Sequence, residues 1–376
     1  MRNHSGRIPE LEGLRGVLAW TVVAFHIVIC SGWFGPTLGG SNLFSDVAEG
    51  AVDAFILLSG FAITRLVLVE RETYRRYIWR RVCRIYPAYW VALAIAISLN
   101  GLLAENLRHF LPAPAAQAYV QICEIGALRA QIDVPLHVFL LHGLAPFSWL
   151  PAAPYTFLGV AWSLSLEEQF YFLAPAVISF ATRARVTAIA LGVICLTTAL
   201  CARPIITTFS NAFLPAKAIF FFVGGLSFVV LRNEQPRNRA TLGIAALCLI
   251  LFCFWFAGTR RLVEAVLPAA IWALVMTSIA SARFGVVSRS LRSLPLQYLG
   301  RSSYSTYLFH APVITAIQAV IWRVANPATH LTLFVLTAPL SIVMTLLVSY
   351  LSWRFIERPF QRLGYARFGM LKRLPS

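Results

Sequence analysis

Arg15 and His26 stand eleven residues apart in the apolar stretch LRGVLAWTVVAFHIVICS, residues 14–31. On a helix that spacing is close to three turns, so both side chains share one face, about 16 Å apart along the axis. An ionisable group in hydrocarbon is costly unless it is paired or faces a polar cavity. A guanidinium at the mouth and an imidazole near mid-membrane suit a ligand whose anionic head rests on the arginine while its reactive end reaches the histidine. The simpler alternative is a histidine engaged in an interhelical hydrogen bond.

Further ionisable groups lie in apolar surroundings. Asp53 opens DAFILLSGF, where Ser59 and Gly60 permit a close approach by another helix or a ligand. Glu167 and Glu168 sit in AWSLSLEEQFYFLAP with Trp162, Ser163, Gln169 and Tyr171 around them. His310 lies in YSTYLFHAPV, and Glu357 with Arg358 in FIERPF. Acid and base groups spread over several segments fit a catalytic cavity or a proton-coupled pathway.

A basic cluster adds a third element. In RETYRRYIWRRVCRIYPAYW, helical spacing places Arg76, Arg80 and Arg84 on one stripe with Arg81 beside it, and Pro87 should disturb the helix. Arginine forks bind phosphates bidentately, which suits a soluble anionic cofactor. An amphipathic helix held by lipid phosphates explains the same residues. With thirty arginines against two lysines, a general arginine excess also contributes.

These residues need a scaffold, and composition identifies it. Of 376 residues, 59% are hydrophobic and 12% charged, with mean hydropathy +0.72, whereas soluble domains carry about 25% charge. The chain is therefore expected to be an all-α, polytopic transmembrane bundle. Windows long enough to cross the hydrocarbon core fall near residues 14–31, 50–69, 86–104, 158–180, 186–202, 213–231, 240–257, 263–281, 303–322 and 331–352, about ten spans. The window at 158–180 is interrupted by Glu167, Glu168 and Gln169, and a half-inserted segment around residues 137–150 is a further possibility. No small-residue cleavage site follows the first span, so it reads as retained rather than as a signal peptide.

The net charge of +17 is explained by orientation rather than by nucleic acid. With the N-terminus in the cytoplasm, alternate loops and span ends on that side hold 25 of the 32 basic residues, the positive-inside bias. Both termini are thus expected in the cytoplasm, with membrane lipids as the partner of most of the charge. The seven cysteines lie mostly in apolar windows and form no CxxC pair, so they read as buried hydrophobes. No metal-ligand cluster, Gly-rich phosphate loop or GxSxG elbow offers another chemistry.

At this point a resemblance enters. RIPELEGLRGVLAWTVVAFH resembles the opening of the acyltransferase 3 family of bacterial integral-membrane O-acyltransferases, marked by a basic residue and a histidine in the first span. DAFILLSGFAITR, RRVCRIYPAYW, AWSLSLEEQFYFLAP, LGRSSYSTYLFHAPV and FIERPF are similar to its later motifs, in family order from about residue 8 to 360. The resemblance implies a bacterial inner-membrane enzyme that takes an acyl group, most simply acetyl, from cytoplasmic acetyl-CoA or another acyl-CoA. The acceptor is a hydroxyl on a carbohydrate or glycolipid: a surface polysaccharide, lipid-linked glycan or glycosylated metabolite.

Carried over by position, the resemblance implies catalytic roles for His26 and Glu167, with Arg15 as the basic partner and Arg80, Arg81 and Arg84 as loop arginines on the acyl-CoA; the residues themselves add Asp53 to the catalytic set and Arg76 to the donor-binding stripe. Glu12 departs from the aspartate common at its position. A single membrane domain over residues 1–360 is expected, with a short basic cytoplasmic tail at 361–376 and no SGNH-type hydrolase domain behind it. The chemistry agrees, because an alcohol attacking a thioester benefits from a positioned base of near-neutral pKa, and imidazole is such a base. Glu167 or Asp53 would orient it, and either direct transfer or a transient acyl-enzyme is compatible with the residues. The competing class is a proton-coupled transporter or flippase of a glycan or lipid intermediate, using His26, Asp53, Glu167 and His310 as a relay.

Overall fold

Pro9 in the first turn and Glu10 and Glu12 beside it start the first helix, since proline needs no hydrogen-bond partner there and carboxylates complement the positive end of the dipole. The computed structural model describes residues 8–32, 43–111, 113–232, 237–280 and 285–367. Helix α1 (Pro9–Cys30) carries Arg15 and His26. Helix α2 (Leu43–Arg65) ends in a π turn over Leu66–Glu70 and stops at Arg71, whose backbone is left-handed. Helix α3 (Tyr74–Ser98), with Pro87 inside it, bends by 60° into α4 (Asn100–Phe110).

Two shorter helices follow, α5 (Ala113–Leu128) and α6 (Ala130–Val138), before α7 (Trp162–Arg183). Helices α8 (Arg185–Leu200) and α9 (Ala202–Thr208) form a second bent pair, with an angle of 71°. The remainder comprises α10 (Leu214–Arg232), α11 (Arg237–Thr259), α12 (Leu262–Ala280), α13 (Gly285–Leu291), α14 (Leu294–Arg301), α15 (Ser303–Ala325) and α16 (His330–Ser352), which runs through a π turn into α17 (Arg358–Ala366). No strand occurs among the described residues.

Among the described residues, seven helices are long and apolar enough to cross a membrane, or up to nine if each bent pair is one span. The chain is a multi-pass membrane protein by this composition. The sequence reading of ten differs at α7, which has the length but not the apolarity. Its Glu167, Glu168 and Gln169 face protein instead of lipid, where hydroxyls and carbonyls satisfy them. The segment read as half-inserted begins in the last turn of α6, which packs on α3, and continues through a 3₁₀ turn at His142–Leu144 beside α7. The boundary expected at residue 360 falls inside α17, and residues 368–376 of the expected tail lie outside the described residues.

Helix α2 is the central post, touching α1, α7, α10 and α12. Its tightest partner is α10, because glycines face backbone at two levels: a Cβ on Gly60 would fall on the Phe221 carbonyl, and one on Gly224 on the Leu57 carbonyl. Without a hydrophobic drive between helices in lipid, such close approach is what holds them. Gly60→Ala and Gly224→Ala are each expected to cost about 1–3 kcal/mol through overpacking, read as a lower melting temperature in detergent. Gly101→Ala, where nothing lies within 4 Å of an added Cβ, is expected to leave the melting temperature unchanged or raise it slightly. Equal behaviour of all three variants would refute the close approach.

Candidate active site

Two histidines from different helices meet at the centre. His310 Nε2 lies 3.3 Å from His26 Nδ1, with ring centroids 4.9 Å apart. Each Nδ1 also faces the carbonyl one turn earlier: His26 that of Val22 at 2.9 Å, His310 that of Thr306 at 3.1 Å. Carbonyl oxygens only accept, so hydrogen-bond logic puts the proton on Nδ1 in both rings. His26 then shares its N–H between Val22 and His310, and its Nε2 keeps a lone pair with no hydrogen-bond partner among the described residues. His310 is fully buried, whereas His26 is partly accessible.

The carboxylates go elsewhere. Glu167 accepts from Ser59 Oγ at 2.8 Å and from Tyr171 OH at 2.5 Å. Glu168, on another face of α7, accepts from Tyr86 OH at 3.2 Å. Asp53 is fully buried and receives Lys217 Nζ at 2.7 Å, with Glu49 and Glu264 at 3.7 and 3.9 Å from the same ammonium. Neither Glu167 nor Asp53 is a hydrogen-bond partner of His26; its side-chain partner is His310. Glu357 is held by Ser305 and Gln361.

A narrow cavity of about 150 Å³ runs between α1, α2, α3, α7 and α15. Arg15, Arg81 and Arg84 line the end toward the basic loops, with Arg15 3.9 Å from Glu12. Ser59, Glu167 and Tyr171 form a wall, and Ser163 and Tyr307 close the inner end. Tyr307 donates to the Val160 carbonyl at 2.7 Å, so it accepts from Ser163 Oγ at 2.8 Å. Its ring lies 6.1 Å from that of His310. The cavity therefore leads from three guanidiniums to the residue that covers the histidine pair.

A family profile described as an acyltransferase domain, acyltransferase 3, matches residues 8–354. The chain belongs to the acyltransferase 3 family. It is similar to the peptidoglycan O-acetyltransferase OatA of Listeria monocytogenes, at 25% identity over 96% of this chain and 57% of that protein. Similarity extends to the putative peptidoglycan O-acetyltransferase YrhL of Bacillus subtilis, at 24% over 97% and 56%, and to the O-acetyltransferase OatA of Staphylococcus aureus, at 24% over 98% and 60%. The chain thus spans less than two thirds of the length of these relatives. No solved structure matches it.

In this acyltransferase 3 chain the predicted arginine stripe divides. Arg80 is buried and ion-paired with Glu70 at 3.2 Å and with Glu72; it also donates to Tyr365 OH and sits over that ring at 4.1 Å. Arg76 faces Glu72 at 3.9 Å. These two arginines tie α3 to the π turn after α2 and to α17. Arg81 and Arg84 turn the other way, into the cavity. A stripe drawn from spacing groups residues by angle around one helix, but the acidic turn at Glu70–Glu72 lies on only one side of it.

The sequence reading missed two features. Lys217, one of two lysines in the chain, lies inside an apolar window, where a lysine by itself signals a buried counter-ion. Tyr307 was hidden among the aromatics of YSTYLFHAPV. Two further histidines are of another kind. His137 and His142 stack at 4.1 Å in the segment before α7, both fully buried. Burial pushes His137 down to about 4 and His142 well below its usual value, so both stay neutral at neutral pH.

Proposed function

We propose that this chain is a membrane O-acetyltransferase that takes acetyl from acyl-CoA and places it on a hydroxyl of a sugar in a surface glycan, a lipid-linked glycan or a glycosylated metabolite. The observation that carries this reading is the cavity joining Arg15, Arg81 and Arg84 to the His26–His310 pair through Tyr307. Guanidinium forks lining one end of such a cavity suit the phosphates of a donor. The positive-inside bias supports a cytoplasmic position for that end, and the bacterial inner membrane is the location the family resemblance implies.

His26 Nε2 accepts the proton of the acceptor hydroxyl as its oxygen bonds to the thioester carbonyl carbon. The C–S bond breaks, and the proton held on His26 passes to the departing thiolate. His310, accepting from Nδ1 of His26, spreads the positive charge that His26 acquires. Glu167 lines the donor cavity and fixes its wall through Ser59 and Tyr171. Asp53 acts at a distance, by holding α2 against α10 through Lys217. Tyr307 must withdraw from Ser163 and Val160 before the thioester reaches His26.

Purified protein in nanodiscs, given radiolabelled acetyl-CoA and a panel of glycan acceptors, is expected to move label to an acceptor hydroxyl. Acceptor movement across the bilayer with proton flux and no label transfer would replace this reading with the transporter.

A further inference from the structure

A second and larger cavity, about 840 Å³, opens at the basic end beside the π turn after α2. It continues the narrow cavity along the same three helices. On α2 the lining passes from Ile63 to Leu66 and Val67, on α7 from Tyr171 to Pro175 and Ser179, and on α3 from Arg81 to Tyr77. Arg81 stands at the junction, its guanidinium 5.9 Å from the Tyr77 ring on one side and 5.7 Å from the Tyr171 ring on the other. By helix rise, Ser163 at the inner end of α7 and Arg183 at the outer rim are about 30 Å apart. Only a long, thin ligand occupies both spaces.

The outer space has the chemistry of an anion site. Arg71, Arg183 and Arg232 line it, and none has an ion-pair partner among the described residues. The carboxylate in its wall, Glu72, is engaged by Arg80 and Arg76. Tyr77 is 2% exposed, lines the space, and its hydroxyl has no hydrogen-bond partner among the described residues. A buried donor of that kind normally finds a partner. A phosphate-bearing ligand supplies it.

We propose that this vestibule binds the phosphorylated nucleotide end of the acyl donor, with Arg71, Arg183 and Arg232 on phosphate oxygens and Tyr77 donating to the ligand. The linking diphosphate then meets Arg81 and, beyond it, Arg15 and Arg84, and the thin arm runs on into the narrow cavity. This rests on the acyl-CoA reading above, and it moves donor recognition away from Arg76 and Arg80, which are spent on Glu70 and Glu72. An anionic lipid headgroup offers the same phosphate chemistry, so the test separates the two.

The experiment measures binding of CoA and of 3′-dephospho-CoA to the full chain in nanodiscs of phosphatidylcholine alone or with phosphatidylglycerol. Arg183→Gln/Arg232→Gln protein, altered at two exposed positions, is expected to bind CoA roughly tenfold more weakly in both disc types, the scale of lost charge-assisted hydrogen bonds. Its affinity for 3′-dephospho-CoA should fall less. Arg289→Gln, exposed and outside both cavities, should bind CoA as wild type does. Unchanged CoA affinity in the double variant overturns the vestibule assignment while leaving the donor reading standing. An effect confined to discs containing phosphatidylglycerol assigns the vestibule to lipid and overturns it too. Wild-type protein that binds no CoA in either disc overturns the donor reading itself, and this proposal with it.

Discussion

His26→Ala protein is expected to turn over about 100- to 10,000-fold more slowly than wild type, the scale of general-base catalysis, while binding the donor unchanged. The two effects separate because Arg15, the arginine of α1 proposed to meet the donor, lies three turns from the imidazole, and Arg81 and Arg84 of α3 line the same cavity as Arg15. His26→Gln is the informative companion. Glutamine can still donate toward Val22 and His310 but offers no useful base, so it should rescue a merely structural role and fail to rescue catalysis. Single-turnover rates with purified, folded protein decide between them. Near-wild-type turnover by His26→Gln would end the mechanism proposed here. His310→Gln should cost less than His26→Ala, because His310 reaches the reacting atoms only through its neighbour.

Lys217→Ala is expected to destabilise the bundle by about 3–5 kcal/mol, the usual cost of removing one partner of a buried ion pair. Lys217 and Asp53 are both fully buried, and Glu49 and Glu264 lean on the same ammonium. Removing it leaves carboxylates facing one another without a cation. The indole of Trp255, 4.6 Å below the ammonium, loses its charge partner at the same time. Thermal unfolding in detergent reads the loss. The double variant Lys217→Met/Asp53→Asn should recover much of it, since it removes both ends of the closest pair. A Lys217→Ala protein that melts with wild type would show that the cluster is hydrated and contributes little.

The separation of these roles explains what the sequence could show about the site. His26 and Arg15 sit on one helix, and local periodicity relates residues within a helix, so their shared face was readable. Asp53 looked like an orienting carboxylate for the same reason that it is buried: an acid in an apolar run must have a partner. Which partner depends on the rotation of α2 about its own axis relative to α10, and that is set by Gly60 and Gly224 meeting backbone. The glycine of SGF was visible as a site of close approach, but not what approaches it. Arg76 and Arg80 differ from Arg81 and Arg84 only in which neighbours surround α3, and no spacing rule contains that information.

By itself, then, the sequence determined the class of protein and the approximate positions of the candidate membrane spans among the described residues. These follow from local quantities: hydropathy summed over a window and the 3.6-residue period. Its ordered motifs also determined the family. Only the tertiary structure decided that α7 keeps its acidic face against protein, that His26 meets His310 rather than a carboxylate, that Asp53 belongs to Lys217, and that the arginines divide between structural pairs and two consecutive cavities. Those outcomes depend on which helix faces lie against each other, and in lipid, where every apolar face is equally acceptable to the solvent, that choice is made by close packing and the pairing of buried polar groups across helices.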